Sequence, residues 1–403
     1  MIVAPLALLA GVLAAAMQVA GGLKTAPGLG ALPLDLTVAT VAALPPLLGL
    51  LLATRRWNVD PAIAWPLAGA LLLPLWLVVA TAWSPSREVA PEKLVDVVLA
   101  GPAMLAAGML LGADPAARRG LTGGSLLAGM LLAAGIVLAA RSGGLLREIV
   151  VQDSAKTNYQ VAGLAIAIAA ALAAVRASES RHLLLALCWL GLVAALAAAA
   201  LLPGGRTALA TLGLGVAVAP ALRLWRGGRP GAALAWLGAA ALAGIASVAL
   251  LMLDPGRAAG LRTLERLTGG VEGLDARLSL WSAALHWGGE ALPLGLGTGG
   301  FTIAAGHGER RGLYPHNHAL EVLAEAGLPG LLLWLLAFGG GLVAAMALLR
   351  RTEAGRAARI AAMVLPVAVT AMVSSDLGNR MAWFALGLAL SLGVGARDVR
   401  ARG

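Results

Sequence analysis

Apolar residues run along this chain in long unbroken stretches, separated by short polar punctuation. A stretch near 20 residues, rising about 1.5 Å per residue, matches the roughly 30 Å hydrocarbon layer of a bilayer. The pattern predicts about twelve spanning helices, at 2–23, 34–53, 61–83, 94–112, 121–140, 161–175, 183–202, 207–222, 231–253, 326–349, 360–379 and 381–396. Several are rich in Gly and Ala, which lets backbones approach closely in lipid. The fold class expected is an all-α polytopic membrane protein in three parts: nine spans within 1–253, a long helical segment at 254–325 between spans, and three spans with a tail at 326–403. The first stretch, Met1 to Leu23, has no basic residue before it and leads directly into further spans, so it reads as a retained helix and not a cleaved signal. No fixed-period repeat stands out.

Composition excludes a water-soluble core, because 60% of the 403 residues are hydrophobic and 12% charged, against about 25% charged in soluble domains. The distribution of basic residues sets a topology. Arg55, Arg56, Arg118, Arg119, Arg176, Arg181, Arg223, Arg226, Arg229, the arginines from Arg350 to Arg359, and Arg397, Arg400 and Arg402 all fall on one side of the predicted spans. Short cytoplasmic loops concentrate Arg and Lys, so that side is expected to be the cytoplasm, with both termini on it. The formal net charge of +10 then follows largely from topology and calls for no nucleic-acid partner. Trp57, Trp83 and Trp225 fall near span ends, as interfacial anchors do. The lone cysteine, Cys188, allows no internal disulfide.

On this topology residues 254–325 lie outside, which for a bacterial inner membrane means the periplasm. Nucleotide sugars are not available there, so chemistry needs an already activated substrate. Three outward segments carry the polar candidates. In "LLPGGRTALA", Arg206 occupies a turn between two spans, where it either snorkels or meets a partner. In "DARLSLWSAALHWGGEALPLGLGTGGF", Arg277, Trp281 and Ala284 recur at helical spacing, giving an amphipathic helix that ends near Gly288 and could merely rest on the membrane surface. The glycines after it follow no strand, so a dinucleotide-binding reading fails on context.

The third segment is "YPHNHALEVLAEAGLPG", residues 314–330. Pro315 and Asn317 signal a helix start, Leu320, Leu323 and Ala324 share an apolar face, and Gly327 with Pro329 marks a stop. His316 and His318 then stand at a helix N-terminus, where free N–H groups favour anions. They either face a phosphate or merely cap the helix. A zinc site is disfavoured, because histidines at i and i+2 do not share a helix face and no Cys or HExxH pattern completes one. Two arginines and a histidine on one face suit transfer from a diphosphate leaving group to a hydroxyl. Guanidinium binds phosphate oxygens bidentately and stays protonated, so it stabilises leaving-group charge without a metal. No DxD pair occurs, and no cofactor is expected.

"RLSLWSAALHWGGEALPLGLGTGGF", "PHNHALEVLAEAGLPG" and the "GGRTALA" turn together resemble the O-antigen ligase and polymerase superfamily of bacterial envelope glycosyltransferases. The layout of about twelve spans with one long late outer segment agrees. The resemblance implies a metal-independent, inverting glycosyltransferase of the C type. It would use an undecaprenyl diphosphate-linked polysaccharide donor and, in the ligase, a lipid A-core acceptor, among membrane lipids. By the same resemblance Arg206 and Arg277 would contact the diphosphate, and His316, with His318 as alternative, would be the essential histidine. Asn158 in "KTNYQ" and Asn317 would line the site. The polymerase and protein O-oligosaccharyltransferases share these reacting groups and differ in acceptor. A lipid-linked sugar transporter has a similar span count but normally places its polar groups at the bilayer midplane.

The topology is tested by labelling. A cysteine introduced near Gly306 should react with a membrane-impermeant thiol reagent in intact spheroplasts, and one near Gly355 should not; the reverse pattern would put the candidate groups on the cytoplasmic side.

Overall fold

The computed structural model describes residues 3–23, 35–141, 156–203, 205–253, 261 and 272–398. Arg400 and Arg402 of the tail, and 254–260 and 262–271 of the long segment, lie outside the described residues. The chain is a bundle of apolar helices. Among the described residues ten helices are long and apolar enough to cross a membrane: Leu36–Thr54, Pro61–Trp83, Val89–Ala113, Pro115–Arg141, Gln160–Glu179, Leu183–Ala200, Arg206–Arg226, Pro230–Leu250, His318–Leu349 and Ala354–Val373. Two shorter apolar helices, Val3–Gln18 and Arg380–Gly393, complete the twelve stretches predicted from hydropathy.

Helix packing relies on the absent side chains of glycine. A Cβ on Gly387 would stand 2.1 Å from the carbonyl oxygen of Leu105, and one on Gly108 would stand 2.3 Å from that of Phe384. The helices Val89–Ala113 and Arg380–Leu390 therefore cross backbone against backbone. Gly11 and Gly120 do the same for Val3–Gln18 and Pro115–Arg141, with Cβ positions 2.0 Å and 1.9 Å from opposing carbonyl oxygens. In lipid, where apolar contact with a tail is as good as contact with leucine, such close approach is what favours one helix pairing over another.

The two ends of the bundle differ. Arg55 pairs with Asp114 at 2.8 Å, Arg223 donates to the Ser178 carbonyl, Arg226 to those of Arg350 and Thr352, and Arg359 pairs with Glu179. The arginine-bearing loops thus gather at one end, as hydropathy and charge together suggest. That end also holds a feature the pattern does not predict. Arg55–Val59 and Val394–Asp398 form a two-stranded antiparallel sheet, so the last apolar stretch leaves the helix at Gly393 and does not continue to 396.

Two further boundaries shift at the opposite end. The span expected at 360–379 stops at Val373, and residues 374–379 form a polar loop capped by Asn379. The span expected to begin at 326 begins at His318; the stop read at Gly327 is a kink, with φ 63 and ψ −157, inside one longer helix. Gly327 is required there because its backbone passes so close to Pro293 that a Cβ would lie 2.2 Å from that carbonyl oxygen.

Replacing Gly387 with valine should lower the unfolding temperature in detergent sharply, since overpacking of this kind costs about 1–3 kcal/mol or more. The same change at Gly191, where nothing lies within 4 Å of the added carbon, should leave it near the parent value. Equal effects at both positions would mean that the crossing is not set by glycine.

Candidate active site

The end opposite the arginine loops is organised around a buried charge cluster. The helix Val89–Ala113 carries Lys93, whose Nζ donates to Glu321 Oε1 at 2.6 Å and to both oxygens of Glu325, at 2.8 and 2.7 Å. All three side chains are nearly inaccessible. Glu321 and Glu325 are four residues apart on the helix from His318, so they share a face and both reach one ammonium. Their other contacts reach into neighbouring loops. Glu321 accepts from the Leu377 N–H at 2.8 Å and Glu325 from the Gly299 N–H at 2.9 Å. The cluster therefore ties two helices to the 374–379 loop and the glycine-rich turn.

That turn is closely packed. The backbone of Gly297, at φ 85, runs so close to Ser84 that a Cβ would lie 2.5 Å from the Ser84 Cα. Ser84 donates to the Thr298 carbonyl, and Thr298 to that of Leu77. Beside it, Glu309 accepts from Ser86 and from the Arg87 and Val89 N–H groups, so these bonds to the charged form hold its carboxyl down at about 2.

Above the cluster stand the residues singled out from sequence. The helix Glu272–Glu290 packs against the one from His318, with Gly288 against Ala324 and a small core of Ala284, Phe301 and Ala324. It is built into the protein, which answers whether it merely rests on the membrane. From it Arg277 donates through Nη2 to Ser374 Oγ at 3.2 Å. His318 is fully buried, with Nε2 3.0 Å from Ser375 Oγ and its ring edge-on to Phe338. His316 is only partly buried. Its φ of 56 is the one left-handed value at a non-glycine among the described residues, and its ring lies 4.1 Å from that of Tyr314. Its Nδ1 is buried and has no hydrogen-bond partner. A residue held in this region at some energetic cost is a marker of function.

Burial and the nearby Arg277 guanidinium push the His316 imidazole down to about 4, opposed by Asp376 and a backbone bond with Ser374. The imidazole is therefore neutral at pH 7. Burial, assisted by Asp376 and Glu321, raises the Tyr314 phenol, which stays protonated.

Arg206 is the first residue of the helix Arg206–Arg226. A Cβ on Gly215 of that helix would lie 3.5 Å from Pro366 of the antiparallel helix ending at Val373. Counting about 1.5 Å per residue from that contact puts Arg206 and Ser374 at nearly the same level. Arg206 thus shares the end of the bundle with Arg277 and His316, although the Arg277 bond runs to Ser374. Asn158 begins the helix Lys156–Glu179 at this end, and its side chain lies outside the described residues. Asn317 caps the helix from His318, its Oδ1 accepting from the Leu320 N–H at 3.1 Å.

Sequence reasoning missed Lys93, Asp96, Arg311, Ser374, Ser375 and Asp376. Arg311 bridges Asp96 and Asp376, which pulls the 305–317 loop onto both neighbouring elements. A signal was available: Lys93 and Asp96 lie in a spanning stretch, where an ionisable group is costly unless paired, and "SSDLGN" is a turn sequence inside an apolar run. No group of three or more His, Cys, Asp or Glu suited to a metal occurs among the described residues.

Fold and cluster define a polytopic membrane protein with a mixed arginine, histidine and carboxylate site at one end of its bundle. Residues 190–335 match the family model described as O-antigen ligase, so this part of the chain is similar to the O-antigen ligase superfamily. That similarity supports a function of the ligase or polymerase type, that of a glycosyltransferase-like enzyme. The match contains Arg206, Arg277, His316, His318 and both cluster glutamates; Lys93 and the serine pair come to the site from outside it. No curated protein matches the chain.

Lys93→Met should destabilise the protein by about 3–5 kcal/mol, because it strands two buried carboxylates. Combining it with Glu321→Gln and Glu325→Gln should recover much of the loss in thermal unfolding, and no recovery would show that charge pairing is not the stabilising element.

Proposed function

We propose that the protein is an O-antigen ligase of the bacterial inner membrane, with both termini cytoplasmic and the His316 site facing the periplasm. It transfers O-antigen polysaccharide from undecaprenyl diphosphate to a hydroxyl of the lipid A-core. The observation that carries this reading is the meeting at Ser374 of Arg277 and His316, two residues of the region that matches the ligase family. Arg277 and Arg206 hold the donor diphosphate, and their guanidiniums stabilise its charge as it departs. His316 takes the proton of the acceptor hydroxyl as that oxygen attacks the anomeric carbon, the bond to the diphosphate breaks and the configuration inverts. His318 is fully buried against Ser375, so the more accessible His316 is assigned as the base. No divalent cation takes part in this scheme.

The depressed His316 supports the scheme once the donor is considered. A diphosphate facing Arg277 offsets the positive charge that holds the imidazole down, so donor binding raises it toward neutrality. Protonated imidazole accepts no proton, so activity falls as pH drops through its pKa. The acid limb of kcat should therefore inflect at a higher pH than that of kcat/KM.

Reconstitution tests the reading. Purified protein with an undecaprenyl diphosphate-linked glycan should place glycan on lipid A-core, with a rate unchanged by EDTA; lengthened lipid-linked glycan without lipid A-core would instead establish a polymerase. His316→Ala should lower turnover by about 10²-fold or more while donor binding persists. Arg277→Lys keeps a charge but loses the planar fork, so donor affinity should fall as well. Full activity of both variants would overturn the assignment.

A further inference from the structure

The end of the bundle far from His316 holds a polar pocket of about 680 Å³ that the glycosyl-transfer scheme does not use. Its walls come from the ends of several elements: Asn58 to Pro61, Arg118, Leu348, Arg351 to Glu353, Arg356, and Leu392 to Gly395. Three arginines line it, Arg118, Arg351 and Arg356, against two carboxylates, Asp60 and Glu353. Both carboxylates are already engaged. Asp60 accepts from the Ala62 N–H and pairs with Arg351 at 3.7 Å. Glu353 caps the helix Ala354–Val373 by accepting from the Gly355 and Arg356 N–H groups, and lies 3.9 Å from Arg359.

Arg118 and Arg356 are left facing each other. Arg118 Nη1 donates to the Gly112 carbonyl at 2.7 Å and Arg356 Nη2 reaches the same oxygen at 3.5 Å. Their terminal nitrogens are thus within about 6 Å, a spacing that one phosphate with oxygens on two sides spans by charge-assisted bonds. Their hydrogen bonds go to backbone carbonyls, of Gly112, Ala113, Ser391 and Val394, and no carboxylate among the described residues is within ion-pair distance of either. Two guanidiniums hydrogen-bonded to neutral acceptors thus stand beside an open polar pocket, with Glu353 acting on both, and Asp114 on Arg118, only through space.

We infer that this pocket binds a phosphate-bearing anion, and that its source is an anionic phospholipid headgroup. The pocket lies where helices long enough to cross a membrane begin and end, which on the proposed topology is the level of lipid headgroups, with Leu348 and Leu392 among its walls. Basic pockets between helices on the cytoplasmic face select such lipids. A soluble phosphate offers the same oxygens, so the two sources are separated by experiment.

Purified full-length protein is titrated in detergent with dioleoylphosphatidylglycerol, dioleoylphosphatidylcholine or inorganic phosphate, and bound ligand is read by native mass spectrometry. Phosphatidylglycerol should bind and resist exchange, while phosphatidylcholine binds at least about 10-fold more weakly. Arg118→Gln should weaken phosphatidylglycerol binding by about 10-fold, as expected for one lost charge-assisted bond. Arg351→Gln, at an 81% exposed rim position, removes a charge without touching the internal carbonyl bonds and should weaken binding by a smaller factor. Binding of inorganic phosphate with the same sensitivity to Arg118 would overturn the headgroup source and leave a soluble anion as ligand. Equal binding of both lipids, or binding indifferent to both substitutions in protein that elutes as the parent does, would overturn the site.

Discussion

Lys93 lies where water cannot compensate it, and its three hydrogen bonds to Glu321 and Glu325 decide how the site end of the bundle is built. An ammonium buried without partners would cost several kcal/mol, as would two buried carboxylates. Each group is tolerable only if the others are present in register. That requirement fixes the helix Val89–Ala113 against the helix from His318, and the spare glutamate oxygens recruit the Leu377 and Gly299 N–H groups. Four chain segments distant in sequence are thereby held together. The histidine loop rests on this base, clamped from the side by Arg311 between Asp96 and Asp376.

On such a base a strained residue is sustainable. His316 keeps a left-handed backbone and an unpartnered ring nitrogen because Tyr314, Ser374 and Arg277 surround it on elements that cannot drift. His318, two residues on, shows the alternative fate of a histidine in the same motif: it is buried and hydrogen-bonded to Ser375. One pair of neighbouring residues thus divides into a partly buried ring and a fully buried one, each with an Nδ1 that has no hydrogen-bond partner among the described residues.

Hydropathy made the spanning helices legible because each must satisfy its backbone internally and present apolar side chains to lipid. The arginine-bearing loops were legible for a related reason, and they do collect at one end. What escaped was long-range pairing. Nothing local to Glu321 and Glu325 indicates that Lys93, 228 and 232 residues away, completes them. The serines of 374–379 were absorbed into a span whose apolar count was high enough to hide a loop. The pairing of Arg55–Val59 with Val394–Asp398 joins the two ends of the sequence and carries no alternating pattern. The resemblance to the ligase superfamily pointed to arginines and histidines, and the structure adds the carboxylates and serines that hold them.

The central claim is that a lipid-linked diphosphate is held between Arg277 and Arg206 beside His316, at the end of the bundle remote from the arginine loops. An electron cryo-microscopy structure of the protein with an undecaprenyl diphosphate-linked glycan tests it most directly. The account predicts density for the diphosphate within hydrogen-bond distance of both guanidiniums, with the anomeric carbon facing the His316 ring. A diphosphate found instead against Arg118 and Arg356, with the His316 site empty, would contradict it.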